Sequence, residues 1–190
     1  NLTSLSDAAA ESLSKHEGDI HLHNLTSLSD GPGHIALAES LSKHEGDLYL
    51  RGLTSLSDAA AESLSKHEGD IDLRGLRSLS DGPGHIALAE RLSKYEGTLG
   101  LDGLTSLSDA AVESLSKHEG YLSLAGLIAL SDAFAEILSK HKGNLRLDGL
   151  TDLSDAAAQH LANYKGTLFL DLDNLPASAA QILRDAGHGE

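Results

Sequence analysis

The chain has 190 residues, with 38 Leu and 19 Gly but no Cys, Met or Trp, four Tyr and two Phe. So narrow an alphabet excludes a bulky aromatic core, a disulfide framework and a thiolate metal site, and it is the composition of stacked repeats. Fourteen Lys and Arg against 29 Asp and Glu give a net charge of −15, which argues against nucleic acid or an anionic lipid surface as partner, and no apolar run approaches the roughly 18 to 20 residues that span a bilayer.

The phrase Leu-Thr-Ser-Leu-Ser-Asp begins at Leu2, Leu25, Leu53 and Leu104, with variants at Leu76, Leu127 and Leu150, in steps of 23, 28, 23, 28, 23 and 23 residues. A fixed period of this size marks a repeat array. The two 28-residue copies carry an insertion after the Asp, Gly31-Pro32-Gly33-His34-Ile35 and Gly82-Pro83-Gly84-His85-Ile86, and residues 2–52 recur as 53–103 with 42 of 51 identical.

Each copy opens on Leu-x-x-Leu and then Ser-Asp, followed by an Ala-rich stretch that predicts a helix of about three turns. Ser6 or Asp7 is placed to accept from the first free amides, Lys15 and His16 sit at the end favoured by positive charge, and Gly18 supplies a left-handed stop. Ala9, Leu13 and His16 then share the inward face. In the long copies Pro32 and Pro83 suit the first helical position, and the five extra residues lengthen the helix by more than a turn. The letters of the insertion also fit a dinucleotide fingerprint, but a unit this short has no room for the strand-helix-strand crossover that chemistry needs.

After each helix two apolar residues alternate with period two: Ile20/Leu22, Leu48/Leu50, Ile71/Leu73, Leu99/Leu101, Leu122/Leu124, Leu145/Leu147 and Leu168/Leu170. This predicts seven short strands, each with one apolar face. About five large aliphatics per copy, at roughly 1.5 to 3 kcal/mol each, do not offset the backbone entropy of 23 residues, so a copy is stable only when stacked on its neighbours. Residues 1–174 form the array, and 175–190, with Ser178 and Gln181 in a capping-box pattern, predict a terminal capping helix. Asn1-Leu2 stands where a strand would have just finished, as though a segment were missing upstream.

A Leu-x-Leu strand, a turn, spaced leucines and a helix, repeated every 23 residues, resemble the leucine-rich repeat family, and in particular its bacterial members with near-identical tandem units. The resemblance implies an α/β solenoid with parallel strands lining a concave face, helices on the convex face, and recognition on the strand side. The family motif places Asn three positions after the second strand leucine, whereas Asn24, Gly52, Gly75, Gly103, Gly126 and Gly149 stand two positions after it here.

The copies also differ from one another in an ordered way. Leucines, Ser-Asp starts and glycines are nearly constant, while the outward strand positions change, so these are the candidate partner-binding residues: His21, Tyr49, Arg51, Asp72, Arg74, Tyr121, Arg146 and Phe169. The expected function is a non-enzymatic module that binds a protein or peptide and needs no cofactor. The alternative is a structural or self-assembling segment, joined through strand edges or through the apolar Ile128, Phe134 and Ile137. His21 and His23, with Asp19 on the same face, make a weak metal pair that Arg51 on the next strand opposes. The helix-end histidines His16, His44, His67, His118 and His141 share their slot with Tyr95 and Tyr164, which points to ring packing with a polar tip. Ser, His and Asp recur everywhere without a unique converging set, so no catalytic residue is expected.

Overall fold

In the computed structural model, residues 3–15 and 22–188 are described. His21, and with it the His21/His23 pair, as well as His16, Gly18, Asp19 and Ile20 of the first predicted strand, lie outside them. Among the described residues, eight helices follow one another: α1 (Asp7–Ser14), α2 (Pro32–Ser42), α3 (Asp58–Leu64), α4 (Pro83–Ser93), α5 (Asp109–Leu115), α6 (Asp132–Leu138), α7 (Asp155–Ala162) and α8 (Ala177–Asp185). Each packs on the next in chain order. None is long and apolar enough to cross a membrane.

Local chemistry accounts for these boundaries. Ser6, Ser57, Ser108, Ser131 and Ser154 are the N-caps of the five short-copy helices, and each hydroxyl accepts the amide three residues on. The long helices α2 and α4 begin at Pro32 and Pro83 and run 11 residues, so the insertion serves helix length. Their N-caps, Gly31 and Gly82, have no side chain to contribute, and the cap comes from the preceding copy. Asp7 in α1 accepts from Gly33 N (2.6 Å) and His34 N (3.3 Å), and Asp58 in α3 accepts from Gly84 N (2.9 Å) and His85 N (3.1 Å). Gly33 and Gly84 let the two helices touch, since a Cβ on either would lie 1.9 Å from the Asp7 or Asp58 carbonyl oxygen. At the C-terminal end, Ser178 lies inside α8, which starts after Pro176, and Gln181 bonds Asp185 at 2.7 Å, so the expected capping box does not form.

The described residues hold twelve strands, not seven, because each copy from the second on supplies two. One row comes from the Leu-x-Leu segments: β2 (Leu48–Tyr49), β4 (Ile71–Asp72), β6 (Thr98–Gly100), β8 (Tyr121–Ser123), β10 (Asn144–Arg146) and β12 (Leu168–Phe169). The other comes from the second leucine of Leu-x-x-Leu: β1 (Ser27–Leu28), β3 (Ser55–Leu56), β5 (Ser78–Leu79), β7 (Ser106–Leu107), β9 (Ala129–Leu130) and β11 (Asp152–Leu153). All pairs are parallel, in small open sheets: β2–β4 and β6–β8–β10–β12 in the first row, and β1–β3, β5–β7 and β9–β11 in the second. The molecule is thus an α/β repeat fold. One continuous core of leucine and alanine runs through the copies; in the interior copy Ala60 and Leu64 are fully buried and His67 nearly so, whereas Ala9 and Leu13 at the end are half-buried.

The described glycines after the short helices are not left-handed stops. Gly69, Gly120, Gly143 and Gly166 have no positive φ, which among the described residues is confined to Gly46, Gly97 and Gly187. They are glycine because a Cβ at Gly143 would lie 1.7 Å from the Gly120 carbonyl oxygen, and the others are equally tight against the glycine one copy earlier. The glycines after the strands follow the same rule: a Cβ on Gly52 would lie 2.4 Å from the His23 carbonyl oxygen. Two columns of bare backbone let the copies sit this close.

Candidate functional site

The first strand row is interrupted once between its described members. β4 and β6 flank a long copy and form no ladder with each other. On the outward side of that break lies a cleft of about 410 Å³, bordered by β2, β4, β6 and β8 and by Arg146 of β10. Side chains alternate across a strand, so Leu48, Ile71 and Leu99 point into the core while the residues between and beside them line the cleft. Six of the eight sequence-derived candidates meet here: Tyr49, Arg51, Asp72, Arg74, Tyr121 and Arg146. Phe169 stands outside the cleft, with its ring 5.7 Å from that of Tyr121.

Asp72 organises the centre. Arg51 Nε donates to it at 2.5 Å, and Arg74 holds it with Nε at 3.0 Å and Nη2 at 2.9 Å. Burial by itself pushes the Asp72 carboxyl up, but the bonds from Arg74 and Arg51 outweigh it and hold the group below its usual range. The Arg74 stem lies over Gly100, 3.3 Å from where a Cβ would stand, so the missing side chain leaves room for this bidentate pose. The Arg51 guanidinium sits 5.9 Å from the Tyr49 ring centroid, and the His23 ring is 6.5 Å from the same tyrosine. Arg146 pairs with Asp148 at 2.7 Å, and the Ser123 hydroxyl donates to Asp102.

Tyr95 also lines the cleft, although its sequence position places it in the helix-end ring slot. In the last copies that slot behaves as packing. His118, His141 and Tyr164 stack at 6.1 and 6.3 Å with nearly parallel planes, and their polar tips bond the carbonyls of Gly97, Gly120 and Gly143. The corresponding carbonyl for Tyr95 is that of Gly69, and Arg91 of α4 takes it at 2.9 Å, together with those of His67 (2.7 Å) and Glu68 (2.6 Å). The Tyr95 phenol interacts with the Asp70 carboxylate. Burial, then Asp70, then the charges of Asp47 and Asp72 push the phenol above its ordinary value. Sequence reasoning missed Tyr95, whereas Asp47, Asp70 and Asp102 stand at outward strand positions. The available signal was Arg91, a cation where the other copies have Ser12, Ser40, Ser63, Ser114, Ile137 and His160.

The remaining candidates disperse. Phe134 is buried, Ile137 is half-buried against the core, and of the three only Ile128 is exposed, at 62%, so they do not form one apolar patch. His34 and His85 are buried ties between copies: Nδ1 accepts the Ser29 or Ser80 amide, and Nε2 donates to the carbonyl of Leu5 or Leu56. Each Nδ1 also meets a serine hydroxyl, but its lone pair is already engaged by backbone and no carboxylate orients the ring, so the pair lacks the geometry of an activated nucleophile. Among the described residues no three His, Asp or Glu side chains converge as metal ligands. No protein-family model matches the chain, and no curated protein matches it, so the functional reading rests on the geometry of this cleft.

Proposed function

We propose that the chain is a leucine-rich-repeat-type solenoid that recognises a protein or peptide on its concave strand side, without cofactor and without catalysis. One observation supports this reading above others: residues that vary between otherwise near-identical copies gather in one cleft, where Tyr49, 48% exposed, stands among both signs of charge. An aromatic ring held rigid beside hydrogen-bonding cations is the composition of an interface hot spot.

Display selection with random peptides of about twelve residues tests the proposal. Selected peptides should lose about tenfold or more in affinity, or roughly 1.4 kcal/mol, on the Tyr49→Ala/Phe169→Ala variant. They should be unaffected by Lys66→Ala on the helix side, where that lysine faces only Glu62. Equal losses on both variants, or the absence of any selected peptide, would overturn the reading.

A further inference from the structure

Resting on the recognition reading above, we infer that the partner is a basic peptide, and that the cleft seats one of its lysine or arginine side chains against Tyr49 and Tyr95, over the Asp47 and Asp70 carboxylates. Charge accounting within the cleft selects this occupant. Asp72 is matched by Arg51 and Arg74, Arg146 by Asp148, and Asp102 takes the Ser123 hydroxyl and lies in the field of Arg74 and Arg146. Asp47 and Asp70 remain. Among the described residues no Lys, Arg or His lies within ion-pair distance of either carboxylate.

The two are held together. The Asp70 amide donates to Asp47 Oδ1 at 3.3 Å, the Tyr49 hydroxyl reaches Asp47 Oδ2 at 3.4 Å, and the Tyr95 phenol interacts with the Asp70 carboxylate. Two like charges are thereby fixed beside two phenol rings on the wall of a cleft large enough for one long side chain. Burial first, and then the charges of Asp70, Asp47 and Asp72, push the Tyr95 phenol upward. Carboxylates with aromatic faces bind ammonium and guanidinium groups by charge and by the ring quadrupole together. An acidic partner would meet this pair head on, while the cations opposite are already engaged by Asp72 and Asp148.

Two-dimensional NMR titration of the full chain with Nα-acetyl-lysine methylamide and its arginine counterpart tests the inference, with the uncharged norleucine amide as control. Saturable shifts are expected at the amides of residues 47–49, 70–72 and 95–98 in the millimolar range, with none from norleucine. Weakening of about tenfold is expected with Asp47→Asn/Asp70→Asn, and substantial weakening in about 0.5 M salt. The single substitutions Asp47→Asn and Asp70→Asn supply the same readout if the double variant does not fold. Shifts that norleucine reproduces, that survive the Asn substitutions, or that never saturate would overturn the cation assignment. Peptides selected by display that depend on Tyr49 but contain no basic residue would also overturn it while leaving the recognition reading intact. Saturable lysine binding with no selectable peptide would do the opposite.

Discussion

Replacing Arg91 by the serine of its sister copy isolates a tie between α4 and the copy before it. The guanidinium donates to three successive carbonyls, those of His67, Glu68 and Gly69, at 2.6 to 2.9 Å. A hydrogen bond from a charged donor is worth roughly 1.5 to 3 kcal/mol. Against this stand about 2 kcal/mol of rotamer entropy for fixing an arginine, and the partial return of water to the carbonyls once the side chain is gone. The net loss for Arg91→Ser is about 2 to 3 kcal/mol, which for a chain of this size lowers Tm by about 4 to 12 °C. Urea and thermal unfolding measure it, with Arg77→Thr as control. Arg77 is exposed, its side chain makes no bond described above, and Thr is the residue of the sister copies, so its effect should stay within about 0.5 kcal/mol. Equal effects from the two substitutions would refute the assignment of Arg91 as the tie across the break.

Two further predictions concern pH. The Asp72 carboxyl is held below its ordinary 3.8 in the folded chain, so its contribution to stability is complete above that value and is lost as pH falls through the lowered one. Asp72→Asn should therefore lower the urea midpoint at neutral pH, with the difference from wild type shrinking as pH falls below 3.8; a difference that stays constant there would contradict the pairing. For His141 burial dominates the bonds to the Ser116 and Gly120 carbonyls and holds the ring below its ordinary 6.5. The unfolded chain then takes up the proton first, so stability present above 6.5 falls as the pH drops toward the folded value. His141→Tyr, the ring already used at Tyr164, should flatten the midpoint between about pH 7.5 and 5, and an unchanged slope would refute the assignment.

Much of this architecture is legible in the sequence because it is local. Ser-Asp starts, Pro32 and Pro83 at the first helical position, and the Leu-x-Leu strands depend on a few neighbouring residues. What escapes is set by the adjacent copy. A two-residue strand such as Ser55–Leu56 is too short to show a period of two, and only pairing with Ser27–Leu28 defines it. A glycine such as Gly143 suggests a backbone turn, but its reason is an oxygen of the copy before it. Within the candidate site, variation between copies picks out six cleft residues, because they face outward on consecutive strands. Tyr95 is invisible to that comparison, since it stands in the helix-end slot that other copies fill with packed rings.

The capping of α2 by Asp7 and of α4 by Asp58 gives the array a rule of succession. A long copy begins its helix at proline, after its own Asp30 or Asp81 has passed, so it presents no first-turn carboxylate to whatever follows. Two long copies in tandem would leave the second helix with an open amino end. Growth by duplicating a short and a long copy together, as in the 51-residue period with 42 identities, keeps every proline-led helix behind the aspartate that completes it. Residues 2–103 accordingly read as two short–long pairs, and the three copies from Leu104 on, all short, need no such partner.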